Sequence, residues 1–290
     1  MARVRDTPPP PLHPEPKLSP ARIENDAQRG WIVPIGGAEE KINDPEILRR
    51  FVRCAGGEEA RIAVIPTASQ LDETGPNYVE LFESLGAGAA TSLPYRTRAE
   101  TERQDWLDTL GRATAVFYTG GNQLRLSTVL GGTAVATQVR RLNARGVVVG
   151  GTSAGAAILP EHMIAYGETG STPQAGMVSL TPGLGLSNRI MVDQHFRERD
   201  RLGRLLSALA YNPFAVGLGL DEDTAAFISP DNIIRVQGSG AVTVVDVSKL
   251  THSSVADISE GTPICMTNVV LHILPHGGSF DLNTREPSQP

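Results

Sequence analysis

The sequence predicts an α/β protein, with a mostly parallel sheet sandwiched by helices and extra antiparallel strands towards the C-terminus. Three observations carry this. In the first half of the chain, short apolar runs alternate with helical stretches, as in crossover units whose strands are buried on both faces. Several of those runs stop in a small-residue turn, and open parallel sheets bind ligands outside such strand ends. From about residue 225 onwards, strand-like runs follow one another with no helix between them.

The elements follow in order. Residues 1–29 carry Pro8, Pro9, Pro10, Pro11, Pro14, Pro16 and Pro20. Proline blocks helices and central strands, so this stretch is expected to be a disordered, passive tail. A single catalytic domain is expected over residues 30–276. Its first strand is Ile32-Val33-Pro34-Ile35, ended by Gly36-Gly37, and a helical pattern follows over residues 45–55. Ile62-Ala63-Val64-Ile65 is a second strand, stopped by Pro66-Thr67-Ala68-Ser69. A helix over 77–85, a weak strand over 89–93 and a helix over 102–110 come next. Val116-Phe117-Tyr118 runs into Gly120-Gly121, and Val147-Val148-Val149 into Gly150-Gly151. Ala226-Phe227-Ile228, Ile233–Val236, Val242–Val245 and Val269–Leu274 read as hairpins or edge strands added to the main sheet. Residues 277–290 are expected to fray.

Composition narrows the function. The chain has 290 residues, 40% hydrophobic and 20% charged, with a net charge of −6. A nucleic-acid groove would show as basic excess, which is absent. Cys54 and Cys265 do not make a disulfide framework. No apolar run reaches membrane-spanning length and the N-terminus lacks the apolar core of a signal peptide. A cytoplasmic protein with no membrane or nucleic-acid partner is expected.

Gly151-Thr152-Ser153-Ala154-Gly155 matches G-x-S-x-G directly after the strand Val147–Val149, and a helix can begin at Ala154. A sharp strand-to-helix turn lifts a serine hydroxyl out of the sheet, and the following N–H can stabilise an oxyanion. The same pattern also suits an ordinary Gly/Ser turn or a phosphate cradle. Serine needs a base. His13 lies in the tail, His162 follows the nucleophile too closely, and His272 lies on a strand. His195 ends the run Met191-Val192-Asp193-Gln194 and stands beside Arg197, Arg199, Arg201 and Arg204. Taken alone it reads as structural or catalytic. Leu202, Leu205, Leu206 and Leu209 are spaced as a buried helix stripe, so the arginines crowd a helix start, where the dipole opposes cations. They read either as a solvated face or as an anion-binding site.

Several motifs, in order, resemble the cyanophycinase group of the S51 serine peptidase family. They are Gly36-Gly37-Ala38-Glu39, Ile65-Pro66-Thr67-Ala68-Ser69, Thr119-Gly120-Gly121-Asn122-Gln123, Gly150 to Ala156, Asp193-Gln194-His195-Phe196, Arg201-Leu202-Gly203-Arg204-Leu205 and Gly219 to Ala225. The resemblance covers residues 31–274. It implies a fold like class I glutamine amidotransferases, a homodimer, and no metal or cofactor. It implies hydrolysis of cyanophycin, a poly-aspartate backbone with arginine on each side chain, to β-aspartyl-arginine dipeptides. By the same match, Ser153 is the nucleophile and His195 its base. Gly121 and Ala154 supply the oxyanion N–H groups. Gln123, Asp193, Gln194, Arg199, Arg201 and Arg204 line the substrate pocket.

Asn122 departs from the aspartate often found in that turn. For the third triad member, Glu168 fits the chain order serine–acid–histidine, with Glu161 and Asp193 as alternatives. An α-aspartyl dipeptidase of the same superfamily, a catalytically silent binding protein and an α/β-hydrolase esterase are the competing readings. The intact Ser153/His195 pair argues against a silent binder. The esterase reading is disfavoured because His272 and His276 lack a suitable partner pattern.

Overall fold

The structure is a computed structural model that describes residues 19–23 and 27–290. Its strands in chain order are β1 (Ile32–Ile35), β2 (Arg61–Ile65), β3 (Ala89–Ser92), β4 (Ala115–Tyr118), β5 (Val148–Thr152), β6 (His162–Gly167), β7 (Val178–Pro182), β8 (Ile190–Gln194), β9 (Val216–Leu220), β10 (Thr224–Ile228), β11 (Ile233–Gly238), β12 (Ala241–Asp246), β13 (His252–Ser253), β14 (Met266–Thr267), β15 (Val270–Pro275), β16 (Ser279–Asp281) and β17 (Glu286–Ser288). The helices are α1 (Glu46–Cys54), α2 (Thr74–Ser84), α3 (Gln104–Gly111), α4 (Gln123–Leu130), α5 (Ala134–Ala144), α6 (Ala154–Ala157) and α7 (Leu202–Tyr211).

The main sheet has the order β17-β16-β11-β10-β1-β5-β4-β2-β3. β1, β5, β4, β2 and β3 are parallel to one another, while β10, β11, β16 and β17 extend the sheet antiparallel from β1. Strand alternation sends side chains to two cores. Ile32, Ala63, Ile65, Val116 and Tyr118 enter the core beneath α3, α4 and α5. Val33, Ile35, Ile62, Val64 and Phe117 enter the other, with α1 and α2. There Phe51 and Phe82 pack edge-on against Phe117, with ring centroids 5.3 and 5.0 Å apart. Because both faces are covered, the central strands β1 and β4 are buried and without charged residues instead of alternating with polar ones.

Two expectations are corrected. The strands after residue 225 do not all join the main sheet. β12 and β15 belong to a second sheet of order β15-β12-β9-β8, packed on α7. Its β8–β9 pair is parallel, with Gln194 opposite Leu220, as a crossover through α7 requires. The segment after 277 does not fray. It forms β16 and β17, and Phe280 in β16 and Leu282 just after it are buried. The proline run Pro8–Pro16 lies outside the described residues. Of the rest of that segment, the Ser19 hydroxyl donates to the Gly185 carbonyl at 3.3 Å and Arg29 to the Asn143 side chain at 3.2 Å, so this part lies against the domain. No helix among the described residues is long and apolar enough to cross a membrane.

Candidate active site

Four strand ends meet at one place. β1 ends at Gly36-Gly37 and β5 at Ser153, side by side in the main sheet. β8 ends at His195 and β9 at Asp221-Glu222-Asp223, side by side in the second sheet. The Ser153 N–H donates to the Ile35 carbonyl at 2.9 Å and the His195 N–H to the Gly36 carbonyl at 2.9 Å. The two sheets are thus joined by backbone at the site. Ser153 has φ 52° and ψ −113°, and His195 has φ 49°. Non-glycine residues held at positive φ mark a constrained turn. Gly37, at φ 106°, lies against the imidazole, and a Cβ there would come within 2.4 Å of His195 Cε1.

Ser153 Oγ lies 2.9 Å from His195 Nε2, and His195 Nδ1 lies 2.6 Å from Glu222 Oε1. With Glu222 ionised, Nδ1 carries the proton and Nε2 is left as an acceptor for the serine hydroxyl. The acid expected from chain order, Glu168, does not hold this place. It sits exposed after β6, its N–H donating to Met177. Glu161 stands just before β6 and its backbone pairs with Ser187 and Gly183. Asp193 is turned towards arginines. The order is therefore serine–histidine–acid.

The acidic triplet after β9 divides its work. Asp221 accepts from the N–H groups of Arg197 and Ala241. Asp223 accepts from the Glu40 N–H and the Ser239 hydroxyl. Glu222 alone faces the imidazole. The signal for it was an acidic triplet ending an apolar run, with Glu222 one residue past the level at which the parallel neighbour ends in histidine.

Burial holds the His195 pKa below its ordinary value. The Glu222 hydrogen bond opposes that shift and the charge of Arg199 adds to it. The imidazole is neutral at pH 7 and ready to accept a proton. The sign follows: activity falls only as pH drops through a point below the ordinary histidine value of about 6.5. A pH–kcat/KM profile measured between pH 4 and 9 is expected to show an acid limb with its midpoint below that value. A midpoint above it would contradict a buried neutral base.

On the other side of Ser153 lies the turn Gly120-Gly121. A Cβ on Gly120 would stand 3.5 Å from Ser153 Cβ. Gly121, at φ 139°, passes so close to Ala68 that a Cβ would sit 2.3 Å from its carbonyl oxygen. No backbone hydrogen bond engages the N–H of Gly121 or of Ala154 among the described residues, so both can serve an oxyanion. Asn122 caps α4, its side chain accepting from the Leu124 N–H at 2.9 Å. Asparagine and aspartate serve equally there, which accounts for the departure at this position.

The expected pocket residues separate into two groups. Asp193, Gln194, Arg201 and Arg204 are buried and bonded to one another. Arg204 grips Asp193 with Nε at 2.6 Å and a terminal nitrogen at 2.5 Å, a bidentate pair. Arg201 donates to Asp193 at 3.3 Å and to the Gln194 side chain at 2.8 Å. Burial pushes the Arg201 pKa down to about 10, so it stays charged at neutral pH. Its buried Nε has no hydrogen-bond partner among the described residues. Asp193 therefore neutralises cations at the start of α7 and does not face outward. Gln123, half-buried, donates to the Ala165 carbonyl at 2.7 Å and ties the Gly120-Gly121 turn to β6. Arg199 is exposed.

Arg204 thus belongs to the framework beneath His195. Arg204→Ala leaves the buried Asp193 without its bidentate partner and is expected to cost about 3–5 kcal/mol of stability. Urea unfolding measures it, and a midpoint unchanged from the parent would return Arg204 to the surface pocket.

The model of peptidase family S51 matches residues 32–236. The chain is 41% identical over 261 residues to a cyanophycinase of Geminocystis herdmanii (strain PCC 6308), covering 89% of this chain and 96% of that one. It is 42% identical over 261 residues to a cyanophycinase of Trichormus variabilis, covering 89% and 88%. It is 39% identical over 271 residues to one of Synechococcus elongatus, covering 93% and 84%. Among solved structures, a peptidase from an acI-B1 Actinobacterium superposes with a TM-score of 0.58 at 18% identity, covering 84% of this chain and 98% of that one. At that identity the likeness concerns the fold alone.

Proposed function

This chain belongs to peptidase family S51, and from that premise we propose that it is a serine peptidase hydrolysing cyanophycin to β-aspartyl-arginine dipeptides through an acyl-enzyme. One observation carries the reading: a Ser153–His195–Glu222 relay with links of 2.9 and 2.6 Å, in a chain about 40% identical to cyanophycinases over most of its length.

His195 Nε2 takes the Ser153 proton as Oγ attacks a backbone carbonyl of the polymer. Glu222 keeps the proton on Nδ1 and stabilises the imidazolium that forms. The N–H groups of Gly121 and Ala154 receive the oxyanion, an effect worth about 3–4 kcal/mol for a single donor in related chemistry. His195 then protonates the leaving amine, and water activated by the same imidazole releases the acyl group. No metal or cofactor takes part in these steps.

The polymer presents carboxylates and guanidinium groups. Arg199, exposed beside His195, is the donor assigned to substrate carboxylates. Arg199→Ala is expected to lower kcat/KM on cyanophycin about ten- to a hundredfold, the loss of a charge-assisted bond. Its unfolding midpoint should match the parent, in contrast to Arg204→Ala. Equal kcat/KM for Arg199→Ala and parent would remove Arg199 from the pocket.

Substrate class is tested by offering cyanophycin and α-aspartyl dipeptides to the same preparation. Turnover of the polymer with the dipeptides ignored supports the proposal. Turnover of the dipeptides alone would make the protein an α-aspartyl dipeptidase. A homodimer is proposed as well. The edge strand β15, which leaves Leu271 and Ile273 exposed at 46% and 65%, supports self-association, and sedimentation velocity tests it. The assigned compartment is the cytoplasm.

A further inference from the structure

We infer that Glu39 is a positioning residue for Ser153: its buried carboxylate holds the hydroxyl of Thr152 and so fixes the turn on which the nucleophile stands. The inference rests on the reading of Ser153 as nucleophile and gives a role to a charged group outside the relay.

Glu39 follows Gly36-Gly37-Ala38 after β1, and its side chain is 1% exposed. Three groups converge on it. The Tyr78 hydroxyl donates to Oε1 at 2.6 Å, and Lys41 Nζ lies 3.1 Å from the same oxygen. The Thr152 hydroxyl donates to Oε2 at 2.5 Å. An ionised carboxylate only accepts, so both hydroxyl protons are committed to it. Burial and the Glu39 charge push the Tyr78 pKa up, which keeps the phenol a donor.

Thr152 is the last residue of β5 and adjoins Ser153 in the chain. A residue at φ 52° stays there only while its surroundings over-determine it. Two restraints bracket this turn on the β1 side: the Ser153 N–H on Ile35 and the Thr152 hydroxyl on Glu39. Both lead into the segment after β1, and that segment also meets the rest of the relay. The Gly36 carbonyl accepts from the His195 N–H at 2.9 Å, the Gly37 carbonyl from the Asp223 N–H at 2.8 Å, and the Glu40 N–H donates to the Asp223 carboxylate at 2.9 Å. One loop therefore touches the segments bearing nucleophile, base and acid, and Glu39 is the buried side chain that locks it to β5. A buried carboxylate is costly to stability even when paired. What it adds over an apolar filler is direction: two aimed hydrogen bonds, one of them to the neighbour of Ser153.

The test uses Thr152→Val, which keeps the volume and removes the hydroxyl, Thr152→Ser, which restores the hydroxyl, and Glu39→Gln. Its readout is the rate at which a small fluorophosphonate labels Ser153, with kcat and KM on cyanophycin beside it. Thr152→Val is expected to slow labelling and kcat alike by about ten- to a hundredfold, the scale of a misplaced reacting group, with KM within about twofold of the parent. Thr152→Ser should recover both rates to within about threefold by the same reasoning. Glu39→Gln should behave as Thr152→Val does, and if it fails to fold, the threonine pair decides alone. Parent rates per labelled site in Thr152→Val, whatever its melting temperature, would overturn the inference and leave Glu39 a structural group. A parent labelled at Ser153 that leaves cyanophycin intact would sink the substrate reading only, and labelling rates would still decide here. A parent not labelled at Ser153 would overturn the nucleophile reading and this inference together.

Discussion

Ser153→Ala is expected to lower kcat on cyanophycin by about a millionfold, the scale seen when a serine nucleophile is removed from a working relay. What remains should be the small acceleration that oxyanion donors and substrate binding supply on their own. Folding should survive. Among the described residues the Ser153 hydroxyl bonds only to His195 Nε2, alanine fits the same space, and the backbone restraint from Ile35 is untouched. Alanine also leaves the positive φ as it was. Ser153→Gly would relieve it, since glycine adopts such angles without steric cost. Strain of this kind is worth about 1–3 kcal/mol, so the glycine variant should melt roughly 2–4 °C or more above the alanine variant. Calorimetry beside steady-state kinetics reads both effects. Turnover by clean Ser153→Ala above a hundredth of the parent rate would end the role of this residue.

Glu222→Gln is expected to lower kcat by about ten-thousandfold, because an amide can present a donor to Nδ1 and so favour the wrong tautomer of His195. The pH profile should move with it. Glu222 raises the His195 pKa against the depressing effect of burial, so its neutralisation should shift the acid limb to still lower pH. That joint outcome, a lower plateau and a lower midpoint, separates loss of orientation from general damage to the fold. Glu168→Gln, altering an exposed side chain away from the relay, should stay within about twofold of the parent, as surface changes usually do. A near-parent rate for Glu222→Gln with a collapsed rate for Glu168→Gln would reverse the assignment.

Much of this site was legible in the sequence because it lies at strand ends. Gly36-Gly37, Gly120-Gly121 and Ser153 each end an apolar run, and the parallel order of β1, β5 and β4 brings those ends together. His195 was singled out by its place after Met191-Val192 and by its neighbours. The acid was not found, since its identity depends on which strands lie side by side. β8 and β9 form a parallel pair in a separate sheet, a tertiary fact that chain order alone does not give. The arginines after His195 were read as a solvated face or an anion-binding site, and by resemblance as lining the substrate pocket. Asp193, eight and eleven residues before Arg201 and Arg204, buries two of them instead. Residues 277–290 were expected to fray because they are short and polar. Their order comes from Phe280 and Leu282, which close the edge of the main sheet.

Mass analysis of the products formed from purified cyanophycin, by parent and Ser153→Ala side by side, tests the central claim most directly. The account predicts a single product with the mass of β-aspartyl-arginine from the parent and none from Ser153→Ala in the same time. An untouched polymer in the parent reaction, or the same product at the same rate from both proteins, would contradict it.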